Sequence, residues 1–175
     1  MRVMGLDLST TSTGLIVLQS YSSGPVTKSL EAEVLIKSNP GEGGSLKRAE
    51  RISDGVLETV QTFAPDFTVI EGYSHSSKWS QAVTVELGTV VRLMLNACAV
   101  HWVVVPPSSL KKFVTGKGNS PKSVMIAEVY KRWGYETSSD DMADAYGLAC
   151  MGLALNGLMF SMTKFQSEAI HSLTL

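Results

Sequence analysis

Residues 1–19 read MRVMGLDLSTTSTGLIVLQ. Two short apolar runs, 1–8 and 13–19, are joined through DLSTTSTG, so the segment predicts a β-hairpin with Asp7 at the end of its first strand. An acid placed there, ahead of a Ser/Thr/Gly turn, has two readings. Either the turn cradles the phosphates of a nucleotide, or Asp7 is the first carboxylate ligand of a metal site. The rest of the chain decides between them.

Length argues against the nucleotide reading. A chain of 175 residues suits a single domain. Sugar kinases and actin-like ATPases instead close two such domains around ATP, with a second phosphate-binding turn in the partner domain. Charge alone points nowhere in particular: Lys plus Arg total 15 against 16 Asp plus Glu, a net −1, where a nucleic-acid binder is often basic. The distribution is less even. Between 111 and 132 the chain carries Lys111, Lys112, Lys117, Lys122, Lys131 and Arg132 against only Glu128, a local basic patch. Cys98 and Cys150 fall in apolar, helically spaced stretches and are expected to act as small hydrophobes; neither a disulfide framework nor a zinc-type spacing exists. The N-terminus lacks the basic flank and apolar run of a signal peptide, and no apolar run approaches a membrane span, so a cytoplasmic protein is the expectation.

Beyond the hairpin, LEAEVLIK (30–37) alternates as a third strand, and SNPGEGGS (38–45) is a loop. From 46 to 63 the residues Leu46, Ala49, Ile52, Val56, Leu57 and Val60 recur at three- and four-residue steps and predict an amphipathic helix. FTVIEGY (67–73) is a short strand carrying an acid near its end, and about 80–99 returns to helical spacing. HWVVVPP (101–107) is a strand stopped by two prolines, which lack the N–H a ladder needs. Helices at about 121–133 and 140–156 complete the order β-β-β-α-β-α-β-α-α. That is an α/β domain with a mixed central sheet flanked by helices, the order of the RNase H-like fold. Residues 1–157 are expected to form the domain, and 158–175, irregular in pattern, a C-terminal tail.

Four acids stand out by position. Asp7 and Glu71 end strands, and strand ends converge on one edge of a sheet, where sites in α/β domains gather. Asp141 and Asp144, in SSDDMADAYGLA, lie three apart at a helix start and share a face. Each has a bland alternative: an Asp after a strand is commonly a turn former, and an acid in a first helical turn serves the dipole, a part that falls to Asp140, with Ser139 or Asp140 as cap. Together they are harder to dismiss, because Asp7 and Glu71 interrupt runs that a bare core would keep apolar. Grouped carboxylates repel and raise one another's pKa unless cations neutralise them. Oxygen-only ligands suit Mg²⁺ or Mn²⁺, and two such ions serve in-line displacement at phosphorus, so the chemistry indicated is phosphodiester hydrolysis.

The stretch PPSSLKKFVTGKGNSPKSVM resembles the signature of the RuvC family of Holliday junction resolvases: a proline-led helix, a Lys, a G-x-G turn and a second Lys ahead of an acidic pair. GLDLS, VIEGY, ELGTVVRLM and DDMADAYGLA extend the resemblance, in order, over about 1–157. It implies a metal-dependent endodeoxyribonuclease acting on branched DNA, on four-way junctions and on forks or flaps, and the two-fold symmetry of a four-way junction, which needs two cuts, leads to the expectation of a homodimer. Asp7, Glu71, Asp141 and Asp144 match the four metal-binding acids, the D-x-x-D step favouring Asp141 over Asp140. Two Mg²⁺ ions, with Mn²⁺ able to substitute, are the implied cofactors. Lys111 and Lys122 match residues that meet the DNA backbone; the alternative is that they are ordinary solvated lysines. YSHSSKWSQ (73–81) matches a loop that inserts an aromatic near the junction centre. Tyr73 follows the acid by two positions where three is expected, and Ser74 takes that place, so Tyr73 or Trp79 is the candidate for stacking on a base, or else packs against the sheet. The helix at about 80–99, with Val83, Leu87, Val90, Val91, Met94 and Leu95, is richer in apolar surface than one sheet face needs and is the expected dimer contact, its alternative being a wholly buried core helix. Near-neutral charge and short length suit a phage-encoded relative. The rival functions are an ATP-binding or phosphotransfer domain of the actin-like superfamily and a non-catalytic DNA-binding relative, the latter disfavoured because all four acids are present.

Overall fold

The computed structural model describes residues 1–21, 28–38, 41, 43–73, 78–159 and 161–173, with side chains from 82 onward in the second of its helices. The elements are β1 (Arg2–Asp7), β2 (Ser12–Ser20), β3 (Lys28–Lys37), α1 (Gly44–Phe63), β4 (Phe67–Glu71), α2 (Lys78–Ala97) and β5 (His101–Val105), then α3 (Pro107–Thr115), α4 (Lys122–Trp133), α5 (Asp140–Leu155) and α6 (Lys164–His171). The sheet runs β3-β2-β1-β4-β5, with β1–β3 an antiparallel meander and β1, β4 and β5 parallel. This is the mixed, helix-flanked sheet that the sequence predicts.

Strand alternation divides the apolar residues between two cores. Met4, Leu6, Leu15, Val17 and Ile70 pack with Ile52, Val56 and Val60 of α1 and Leu87, Val91 and Leu95 of α2. On the other face Val3, Ile16, Val69, Val103 and Val105 pack against α3, α4 and α5. α5 is buried almost all round from Met142 to Ala154, as suits a helix of Ala, Gly, Leu and Met with no polar face. It lies directly on the β1–β2 backbone. A Cβ at Gly5 would sit 2.0 Å from the Ala145 carbonyl oxygen, and one at Gly14 would sit 2.3 Å from that of Asp141. Glycine inside a strand marks such close approach.

Two helices depart from the periodicity reading. The prolines do end β5, but Pro107 also opens α3 from an N-cap at Pro106; its fixed φ is preorganised for a first turn. The stretch expected to be irregular after 158 contains α6, started by a capping box in which Thr163 and Gln166 bond reciprocally. α6 packs on α3, with Gln166 and Ala169 buried. Cys150 is buried as expected, whereas Cys98 is exposed just past α2. No helix among the described residues is long and apolar enough to cross a membrane.

Gly5→Ala should therefore cost about 3 kcal/mol or more, because the added methyl meets backbone that cannot give way locally. Gly41→Ala, with open space around it, should change stability by less than about 0.5 kcal/mol. Urea denaturation of both variants checks the contrast; equal, small losses would contradict the packing described.

Candidate active site

The parallel pairing Gly5↔Val69 and Leu6↔Ile70 brings the next residues, Asp7 and Glu71, side by side at the C-terminal ends of β1 and β4. Alternation turns both toward the face that α5 covers. α5 brings Asp144 to the same point. Ligand oxygens of Asp7, Glu71 and Asp144 all lie within 4.8 Å of one another. They line an open cavity of about 370 Å³ together with Asp141, Lys111, Lys122 and Tyr73. Asp141 thus shares the cavity but is not one of the trio of converging oxygens.

Burial and crowding raise the proton affinity of Asp7, Glu71 and Asp144. Asp7 is pushed well above the usual carboxylate range, first by burial, then by the charges of Glu71 and Asp144, a side-chain hydrogen bond with Glu71 and the charge of Asp141. Burial also raises Glu71, against the opposing effects of the Asp7 hydrogen bond and of Lys111 and Lys122. Asp144 is pushed up to about 7, by burial and by the charges of Glu71 and Asp140, with Lys111 and Lys122 again opposing. One oxygen of Asp144, Oδ1, is buried with no hydrogen-bond partner. An orphaned carboxylate oxygen beside two more carboxylates, with no nitrogen or sulfur donor among them, fits a hard divalent cation.

The surroundings separate the remaining candidates. Lys122, the first residue of α4, pairs with Asp140; that hydrogen bond raises Lys122 and lowers Asp140. Ser139 caps α5 by accepting from the Met142 N–H at 3.4 Å. The basic patch is not one surface: Lys112 pairs with Glu168 at 2.9 Å, Arg132 with Glu128 at 2.7 Å and Lys131 with Glu128 at 3.7 Å, while Lys111 and Lys122 face the acids. Tyr73 packs on α2: a Cβ at Gly88 would lie 2.3 Å from its hydroxyl, and the Arg92 guanidinium is 6.0 Å from its ring centre. Residues 74–77 and the side chain of Trp79 lie outside the described residues. In the opening turn the hydroxyls satisfy backbone: Thr13 donates to the Ser9 carbonyl at 2.8 Å, the Ser9 hydroxyl accepts from the Thr11 N–H at 3.3 Å, and Ser38 donates to the Thr10 carbonyl at 2.6 Å.

Comparison with known proteins agrees with this geometry. The family described as crossover junction endodeoxyribonuclease RuvC matches residues 3–151. The crossover junction endodeoxyribonuclease RuvC of Mycobacterium ulcerans is 30% identical over 152 residues, covering 85% of this chain and 81% of that protein. The Thermus thermophilus RuvC structure superposes with a TM-score of 0.74 at 23% identity, over 90% of this chain and 98% of the other. A second structure, T. thermophilus RuvC in complex with Holliday junction substrate, gives 0.73 at 20% identity, over the same shares. At those identities the structural likeness speaks for the fold. The nucleotide-cleft reading of the opening turn finds no support.

The raised acids give a pH dependence of defined sign. Between about pH 4 and the Asp144 value of about 7, the folded cation-free protein binds more protons than the unfolded chain, so stability falls as pH rises through that window. Thermal unfolding in chelator should show a midpoint that drops over this range, and less so in Asp144→Asn. Mg²⁺ should raise the midpoint at about pH 8 and progressively less toward pH 5, because it competes with protons for the carboxylates. A wild-type profile no steeper than that of the variant would contradict the assignment.

Proposed function

The chain belongs to the RuvC family of crossover junction endodeoxyribonucleases, and from that premise we propose that it cuts four-way junctions and related branched DNA, forks and flaps included, by metal-dependent phosphodiester hydrolysis. The observation that carries the reading is the convergence of Asp7, Glu71 and Asp144, from two strand ends and a helix, in a cavity walled by Asp141 and two lysines. We assign the acidic site and its flanking lysines to residues 1–157, with α6 packed on that domain through α3.

Asp7, Glu71, Asp141 and Asp144 hold the cations in this reading. Two Mg²⁺ ions, for which Mn²⁺ would substitute, would activate a water and stabilise the charge developing on the leaving 3′-oxygen. Lys111 and Lys122 engage backbone phosphates flanking the cut, Lys122 trading part of its contact with Asp140 for a phosphate oxygen. Tyr73, 37% exposed at the cavity, stacks on a base at the junction centre.

A two-fold junction calls for two cuts, and a homodimer supplies one site per subunit. α2 is the contact, through a stripe that shares Val90 with the set expected of its spacing but otherwise differs from it. Leu87, Val91 and Leu95 are fully buried in the core, and the outward stripe is Val85, Val90 and Leu93, exposed by 40%, 45% and 63%. Sedimentation at micromolar protein should show a dimer that Leu93→Glu converts to monomer; a wild-type monomer both free and on junction DNA would sink this part of the reading.

Cleavage of labelled four-way, flap and linear duplex DNA tests the whole. Asp7→Asn and Glu71→Gln should each lose at least about 100-fold in cleavage rate with junction binding retained, since even outer-shell changes at metal sites cost 10–100-fold. Lys111→Ala should instead weaken binding and flatten its salt dependence by about one counterion. Near wild-type cutting by either acid variant, or activity in excess chelator, would overturn the reading.

A further inference from the structure

A second cavity, of about 690 Å³, opens at the far end of the α4–α5 pair from the acids. α4 spans both: Lys122 lines the acidic cavity and Lys131 to Trp133 line this one, about 16 Å along the helix. Its described lining holds three cations, Lys28, Lys131 and Arg132, and no carboxylate. Its floor is apolar, formed by Leu153, Leu158 and Met159.

The cations are not equally available. Arg132 is committed, donating to Glu128 at 2.7 Å and to the Val114 carbonyl at 2.6 Å. Lys131 reaches the same Glu128 only at 3.7 Å, with its side chain 77% exposed. Lys28 has no carboxylate within ion-pair distance among the described residues. Its ammonium rests instead 5.0 Å from the centre of the Trp133 ring and 4.8 Å from that of Tyr146, with Cys150 Sγ at 3.1 Å. Aromatic faces hold an ammonium but leave its charge unneutralised. Gln166, 3% exposed, also lines the cavity. Its Oε1 accepts from the Thr163 N–H at 2.9 Å and the Thr163 hydroxyl at 3.0 Å, which leaves its amide –NH₂ as the remaining donor.

We propose that this cavity binds a small amphiphilic anion, its phosphate or carboxylate head between Lys28 and Lys131 and its aliphatic body on Leu153, Leu158 and Met159. The volume lies in the range of small-molecule sites. A DNA duplex would present a convex, evenly charged backbone to exposed cations, whereas Lys28 is recessed against aromatic rings above an apolar floor. The site is independent of the nuclease reading and stands or falls without it.

The full chain is titrated with n-octyl phosphate, octanoate, inorganic phosphate and neutral n-octyl glucoside below their micelle concentrations, following the Trp133 indole N–H by NMR, assigned with Trp133→Phe. One or both amphiphilic anions should saturate the shift, with inorganic phosphate and the glucoside each at least about tenfold weaker. Lys28→Gln and Lys131→Gln should each weaken the anion about tenfold, the worth of one charge-assisted hydrogen bond, with junction cleavage unchanged. Lys131, being exposed, carries the test even if Lys28→Gln fails to fold. Equal binding of the glucoside would reduce the site to an apolar patch, and equal binding of inorganic phosphate would reduce it to a surface anion site. Displacement of n-octyl phosphate by duplex DNA, with the same dependence on Lys28, would give the site to DNA. Each of these outcomes overturns the proposal.

Discussion

Backbone contact between α5 and the β1–β2 hairpin is the constraint from which the acidic site follows. Gly5 lies under the Ala145 carbonyl and Gly14 under that of Asp141, each closer than any side chain permits. α5 therefore meets the hairpin backbone directly at these two points, and Asp144 joins Asp7 in one cavity. Sheet pairing supplies Glu71, since β4 follows β1 in parallel register. Because α5 is buried almost all round, it has no solvent face about which to rotate, and the position of Asp144 is fixed with it. Precise placement of a carboxylate is thus a consequence of small residues remote from solvent.

The electrostatics run against stability, as a site built for a ligand should. Burial disfavours the charged forms of Asp7 and Asp144 and leaves Asp144 Oδ1 without a partner, both costs in the cation-free protein. Lys122 adds to this pattern. It occupies the first position of α4, where the helix dipole disfavours a cation, and Asp140 in the first turn of α5 offsets it. A helix start chosen for stability alone would carry an acid there. The carboxylates of this cavity are grouped as a divalent cation would require, and two lysines stand beside them.

Much of this was legible because it is local. Short apolar runs, with period-two alternation in 30–37, marked the strands, three- and four-residue steps marked α1, and acids interrupting apolar runs marked Asp7 and Glu71. The hidden parts depend on contacts distant in sequence. The basic run from Lys111 to Arg132 reads as one patch until Glu168 claims Lys112 and the helix face of Glu128 takes Lys131 and Arg132. α2 is apolar on two faces, so spacing alone could not say that Leu87, Val91 and Leu95 turn inward while Val85, Val90 and Leu93 turn outward. α3 was hidden from periodicity, though implied by the family resemblance as a proline-led helix, because its prolines serve two roles, ending β5 and opening a nine-residue helix too short for a periodic signal. α6 did carry a local cue, the Thr163-x-x-Gln166 capping box, ahead of only eight helical residues. The glycine contacts had a cue as well, isolated Gly within apolar strands, but the partner that comes close is set by the tertiary fold.

The central claim is that Asp7, Glu71 and Asp144 form one divalent-cation site. Anomalous diffraction from crystals soaked in Mn²⁺ tests it most directly. The account expects manganese peaks bounded by oxygens of all three carboxylates, and their loss in crystals of Asp144→Asn soaked identically. Manganese bound elsewhere, or at this cavity without Asp144 among its ligands, would contradict it.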